Sequence, residues 1–161
     1  MAGEGWFFDG ADLPASDVPR SATGVVLCPE PCSLRGSCRL GIQVERLETE
    51  NAAYFEVECP PEHRERPGFA HGTWTAAVLS EICGVLPVLL GIVAFMGTLE
   101  VRFQAPVPMG ERFIGRATLY GRERRKLYVS ATLSSSVTGA ELAKASMIMI
   151  AASAATLPPP V

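Results

Sequence analysis

Pro67-Gly68-Phe69-Ala70-His71-Gly72-Thr73 runs directly into Trp74 to Gly84, a nearly uncharged stretch of helical composition. A tight turn that delivers backbone N–H groups to the start of a buried helix leaves the first amides unpaired and carries partial positive charge. Such a terminus can hold a developing oxyanion without any cationic side chain, which is the requirement of chemistry at an acyl carbon. Three other groups of residues carry chemistry that such a turn would need. Ser80 and Glu81 are the polar residues farther along the helical stretch, and Glu65 sits in the charged loop before the turn. The basic run Arg122-Glu123-Arg124-Arg125-Lys126 lies between two alternating segments.

Each has a plain reading beside the chemical one. His71 alone is equally a capped, satisfied core histidine. Glu65 belongs to Glu62-His63-Arg64-Glu65-Arg66, and mixed-charge runs of that kind usually face solvent. Glu81 reads also as a structural acid, tied to an amide or an arginine to offset its desolvation. Arginine forks suit phosphate oxygens, but charged hairpin turns are common. One residue along a helix is a rotation of about 100°. Ser80 therefore shares a face with Thr73, Ala76, Ala77 and Gly84, and Glu81 sits with Trp74, Ala77, Val78 and Val85. A serine without a base neither deprotonates water nor becomes a strong nucleophile.

The elements that must position these groups follow from periodicity. The first forty residues are rich in Pro, Gly, Ser and Asp, with Trp6, Phe7 and Phe8 as the one strong apolar cluster, and read as an arm laid on the domain. Alternation begins at Gly41. Ile42 and Val44 are expected to face inward against Gln43 and Glu45, then Phe55, Val57 and Cys59 against Tyr54, Glu56 and Glu58, with a turn at Glu50-Asn51. Pro60 to Pro67 reads as a loop and Thr73 to Gly84 as a helix apolar on nearly every face. Further strands are expected around Leu99 to Gln104, Arg112 to Leu119, Tyr128 to Leu133 and Glu141 to Ala151. This gives 1–40 as an arm with a cysteine-containing loop, 41–152 as the folded domain and 153–161 as a proline-rich tail. The layout is α+β, one long helix against an antiparallel sheet whose edges invite a second copy.

Composition narrows the classes of function. A chain of 161 residues is one domain by length, and its formal charge of -3 supplies no basic field for non-specific nucleic-acid binding. Met1 to Gly10 has neither the cationic start nor the apolar run of a secretory signal, and the apolar stretch Val85 to Met96 holds Pro87 and is short for a membrane span. The expectation is a cytoplasmic protein with no membrane or nucleic-acid partner. Five cysteines, an odd number, fit reduced thiols. Cys28, Cys32 and Cys38 have C-x3-C-x5-C spacing but lack a local fourth ligand, since Cys59, His63 and His71 are remote, so no metal is expected.

The order of elements, together with G-F-A-H-G-T-W-T-A-A-V-L-S-E-I-C-G, resembles the hot-dog fold acyl-CoA thioesterases, specifically their phenylacetate-pathway-like branch, over roughly Leu40 to Ala151. The resemblance implies a dimer or tetramer with its site between subunits. It implies that the Gly72 N–H polarises the thioester carbonyl, that His71 orients the turn, and that Glu65 stands where relatives place an Asn or Gln holding the attacking water. Arg122, Arg124 and Arg125 would meet the phosphates of coenzyme A, and Phe69, Thr73 and Trp74 would contact substrate. Coenzyme A enters only as part of the substrate, or a carrier protein replaces it, and no other cofactor is implied. Two positions depart from the family pattern: its second glycine is Thr73, and the acid nine positions after the histidine is Ser80, with Glu81 one place late. The departure leaves two alternatives to hydrolysis, a lyase, dehydratase or cyclase on the same scaffold and a non-catalytic acyl-thioester binder.

Overall fold

The computed structural model describes residues 38–152. Cys28, Cys32, the Trp6-Phe7-Phe8 cluster and the segment 153–161 lie outside them.

Among the described residues the six expected strands and the one long helix form in the order expected, and Pro60 to Pro67, read as a loop, instead carries a 3-10 turn and the first strand of a short ribbon. β1 (Ile42–Thr49) and β2 (Ala52–Glu58) make a hairpin. A 3-10 turn at Pro61–His63 and a two-stranded ribbon, β3 (Arg64–Arg66) and β4 (Phe69–Ala70), lead into helix α1 (Gly72–Leu89). β5 (Ala94–Phe103), β6 (Arg112–Glu123), β7 (Lys126–Ser135) and β8 (Glu141–Ala151) follow the helix. The large sheet is antiparallel throughout, in the order β1-β2-β6-β7-β8-β5, so β1 and β5 are its two edges.

Alternation decides which face the helix covers. Phe55, Val57, Phe113, Ala117, Val129, Ala131 and Leu133 are buried, as their period-2 spacing requires, and α1 lays Trp74, Val78, Leu79, Ile82 and Leu86 onto them. Each of those helix side chains is fully or almost fully buried and contributes on the order of 2 kcal/mol. Gly115 sets how closely the helix approaches. A Cβ there would lie 2.5 Å from Ile82 Cδ1 and 3.1 Å from Phe55 Cβ, so any larger residue would make the Ile82 side chain shift at this point of the sheet.

Four local expectations are corrected. The helix continues past Gly84 to Leu89 with Pro87 inside its last turn, because a proline so near the end forfeits one N–H bond while Leu90 N–H still reaches Leu86 O (3.1 Å). It is also less enclosed than its composition suggests: Ala76, Ala77, Ser80, Glu81, Gly84 and Val85 stay half-buried because the sheet covers only one side. β5 begins at Ala94, five residues before the expected Leu99. Glu45 does not face outward with Gln43. A register irregularity between Ile42 and Val44 sets two residues of β1 against one of β2, so Glu45 pairs with Phe55 and turns toward the helix while Val44 pairs with Glu56. Alternation read from sequence cannot see a bulge, and a bulge inverts every position beyond it.

Candidate active site

His71 is the residue before the first turn of α1. Its backbone is extended, its Nδ1 accepts from Thr73 N–H (3.0 Å), and its carbonyl accepts from Thr75 N–H (3.3 Å). An accepting Nδ1 carries no proton, so the ring proton of this tautomer is on Nε2. His71 thus caps the first turn of the helix through its ring, as the plain reading of a capped histidine has it. The Gly72 N–H, first amide of the helix, has no acceptor among the described residues.

The approach to this terminus is fixed by backbone hydrogen bonds. Gly68, at a φ of 87°, turns the chain between β3 and β4 with the left-handed backbone that glycine adopts most readily. Ala70 N–H donates to Val107 O (2.9 Å), His71 N–H to His63 O (2.7 Å) and Met109 N–H to Gly68 O (2.8 Å). The turn is therefore held between the 3-10 loop before it and the segment after β5. An open cleft of about 500 Å³ results, and Glu65, Arg66, Phe69, Gly72, Thr75 and Phe103 are among its lining residues.

Of the residues expected at a site, the structure brings Gly72, Glu65 and Phe69 into this one cleft. Glu65 is exposed on β3, and Phe69 is half-open at the rim. Thr73 is exposed, with its N–H engaged by His71. Trp74 is corrected from pocket wall to core: it is 2% exposed, its indole N–H donates to Leu40 O (3.1 Å), and its ring packs against Phe113 with centroids 6.3 Å apart.

Ser80 and Glu81 part company, as their 100° separation requires. Ser80 lies about 12 Å farther along the helix axis than Gly72 and leans toward edge strand β5, its Oγ 4.0 Å from Met96 Sδ. Glu81 faces the other edge, where it adds to the effect of burial in pushing the Glu45 carboxyl up to about 7 from an ordinary value near 4.5. Neither side chain lines the Gly72 cleft of its own chain. The raised value favours protonated Glu45 in the folded state, so its stabilising share is intact below the ordinary carboxylate range and is lost as pH rises through about 7. Discounted for solvent screening at a half-buried site, the loss is about 1 kcal/mol, or roughly 4 °C. Glu45→Gln should accordingly melt higher than the parent at pH 8 and at about the same temperature at pH 4. Equal pH profiles for the two proteins would show that Glu45 is not protonated in the fold.

The basic turn is at the far end of the molecule. β6 starts beside Trp74 and ends at Glu123, roughly 35 Å of strand away. Arg124 takes a φ of 52° in the turn, Arg122 Nε–H donates to Arg124 O (3.3 Å), and Arg125 Nε–H donates to Ala151 O (2.7 Å). Within one chain these arginines and the Gly72 cleft are not brought together.

Sequence reasoning passed over Thr75, Phe103 and Glu45. The signal for Thr75 was present, a hydroxyl three residues after Gly72 and so on nearly the same helix face. Phe103 falls in the strand expected around Leu99 to Gln104, but periodicity carries no sign that the strand's end would stand over Gly72, with Phe103 Cε1 3.8 Å from where a Cβ would sit.

No family model and no curated protein matches this sequence. Solved structures do match. A Streptococcus mutans protein solved bound to acetyl CoA superposes with a TM-score of 0.61 at 18% identity, over 66% of this chain and 86% of that one. A hypothetical thioesterase protein from Streptococcus pneumoniae, solved with coenzyme A, gives 0.61 at 13% identity, over 68% and 89%. Thioesterase superfamily member 2 from Mus musculus gives 0.61 at 15% identity, over 68% and 81%. This chain has the hot-dog fold. In it α1 is the single helix wrapped by the sheet, and the cleft at Gly72 opens at the helix's N-terminal end.

Proposed function

We propose that this hot-dog protein hydrolyses an acyl thioester of coenzyme A or of a carrier protein, with the Gly72 N–H receiving the oxyanion and Glu65 acting as general base on water. One observation carries the reading: an unpaired helix-start amide and a carboxylate line the same open cleft. The shared fold with proteins solved holding acetyl CoA and coenzyme A supports the choice of ligand. Water adds to the thioester carbon as its proton passes to Glu65. The carbonyl oxygen takes up the charge at Gly72. Collapse then breaks the C–S bond, and the departing sulfur recovers the proton from Glu65, giving a free acid and a free thiol.

A second copy completes the site in this proposal. β5 is an edge strand ten residues long whose backbone faces no strand among the described residues on one side, and it exposes Phe95, Met96 and Phe103. Antiparallel pairing of β5 with its copy sets the Phe103 end of one chain beside the Ala94 end of the other. The Ala94 end is where Ala152 N–H reaches Val93 O and Arg125 holds Ala151 O, so pairing carries the partner's basic turn toward this chain's cleft. It also turns Ser80 toward the seam. Arg122, Arg124 and Arg125 then meet the nucleotide phosphates across the subunit boundary.

Turnover of a panel of acyl-CoAs, with free thiol and acyl product both measured, tests the reading. Free thiol supports hydrolysis, altered acyl chains without thiol support a lyase or dehydratase, and neither supports a binding protein. Replacing Arg124 and Arg125 together by Ala should raise KM for CoA thioesters several-fold more than KM for short thioesters lacking the nucleotide, because phosphate contacts are remote from the bond being broken. Equal effects on both substrates, or a fully active monomer by light scattering, would leave the turn merely solvated and the site complete in one chain.

A further inference from the structure

Only two polar residues among those described are classed as buried, Thr75 and Ser135. Ser135 is fully occupied: its Oγ accepts from Val137 N–H (3.2 Å) and Thr138 N–H (3.3 Å) and donates to Glu111 Oε2 (3.4 Å). Thr75 is 1% exposed, and its hydroxyl has no hydrogen-bond partner among the described residues. A hydroxyl with no protein partner is satisfied only by what occupies the space onto which it opens. No side-chain oxygen here is sealed from solvent without a partner, which leaves Thr75 Oγ1 open only to the cleft that Thr75 lines. Gly72 lines that cleft one helical turn away, and the backbone N–H of Thr75 is already engaged by His71 O.

We infer that the Thr75 hydroxyl is a second hydrogen-bond donor to the acyl carbonyl bound at Gly72, touching the oxygen that becomes the oxyanion. The inference rests on the thioester reading above and adds to it a residue and a geometry. A single backbone amide satisfies one lone pair of a tetrahedral oxyanion. A hydroxyl one turn farther along the helix approaches the same oxygen from the other side, and as a neutral donor it adds no charge that would oppose Glu65. Proton balance is unchanged: Thr75 donates a hydrogen bond and keeps its proton, while the water proton travels through Glu65 to the leaving sulfur.

Thr75→Val replaces the hydroxyl by a methyl group of similar shape, and Thr75→Ser keeps the hydroxyl. Thr75→Val should lower kcat by about 100-fold with KM changed little, and Thr75→Ser should recover most of the rate. The melting temperature of Thr75→Val should be equal to or above that of the parent, since an unpaired hydroxyl contributes nothing to the fold; a hydroxyl serving structure would give a lower one. A second measurement does not need turnover. A ¹³C-labelled ketone analogue of an acyl-CoA, with CH₂ in place of the sulfur, should show a carbonyl stretch shifted to lower frequency when bound to the parent and to Thr75→Ser, and a smaller shift in Thr75→Val. Binding with identical stretches in all three overturns the role of Thr75 and leaves the thioester site standing. Failure of the analogue to bind the parent overturns both.

Discussion

Gly72→Pro is expected to fold normally and to lose about 100- to 1,000-fold in kcat for thioester hydrolysis. Proline is tolerated at the first position of a helix, where its missing N–H would have had no intrahelical partner. His71 before it already has the extended backbone that a residue preceding proline prefers, with φ −66° and ψ 137°. The substitution therefore removes one hydrogen-bond donor and almost nothing else, and the loss is that measured when one oxyanion donor is deleted elsewhere. Gly72→Ala is the control. Its Cβ would stand 3.8 Å from Phe103 Cε1, an ordinary contact, and its N–H remains, so it should retain most activity. Circular dichroism establishes the fold, and release of free thiol measures the rate. A fully active Gly72→Pro would take the helix terminus out of the mechanism.

Glu65→Gln should lower kcat by at least about 100-fold, a typical general-base contribution, without changing the melting temperature or the oligomeric state. The second half follows from position: Glu65 is exposed on a three-residue strand, and no ion pair among the described residues involves it. Glutamine keeps the size and polarity of the side chain and deletes the basic oxygen. A rate loss carried wholly by KM would mean that Glu65 binds substrate and does not activate water, and an unchanged kcat would return it to the solvated loop.

How far the site was legible can be followed residue by residue. Phe113, Ala117, Val129, Ala131 and Leu133 announced their burial through period-2 spacing, and the glycine-rich turn before an uncharged helix announced Gly72, because both signals are local and the chain's own geometry enforces them. Glu65 and Gly72, seven residues apart, were close enough in sequence for a short ribbon to bring them together. Glu45 was misread because a bulge depends on how a strand fits its neighbour, and Trp74 because an aromatic at a helix start looks the same whether its indole serves a pocket or donates to Leu40 O.

By itself the sequence determined the order of the six long strands and the helix, the inner face of most of those strands, and the turn at which the helix starts. Those are set by covalent spacing and by the periodicity of burying apolar side chains. Only the tertiary structure decided that Phe103, thirty-one residues beyond Gly72, stands over it, that Thr75 keeps a hydroxyl open to the cleft, and that Ser80 and Glu81 lean to opposite edges of the sheet. It also decided that the basic turn lies a full strand's length from the cleft. Contacts between distant segments depend on strand register and on how closely helix and sheet approach, as where Gly115 admits Ile82, and no local pattern of residue types encodes that distance.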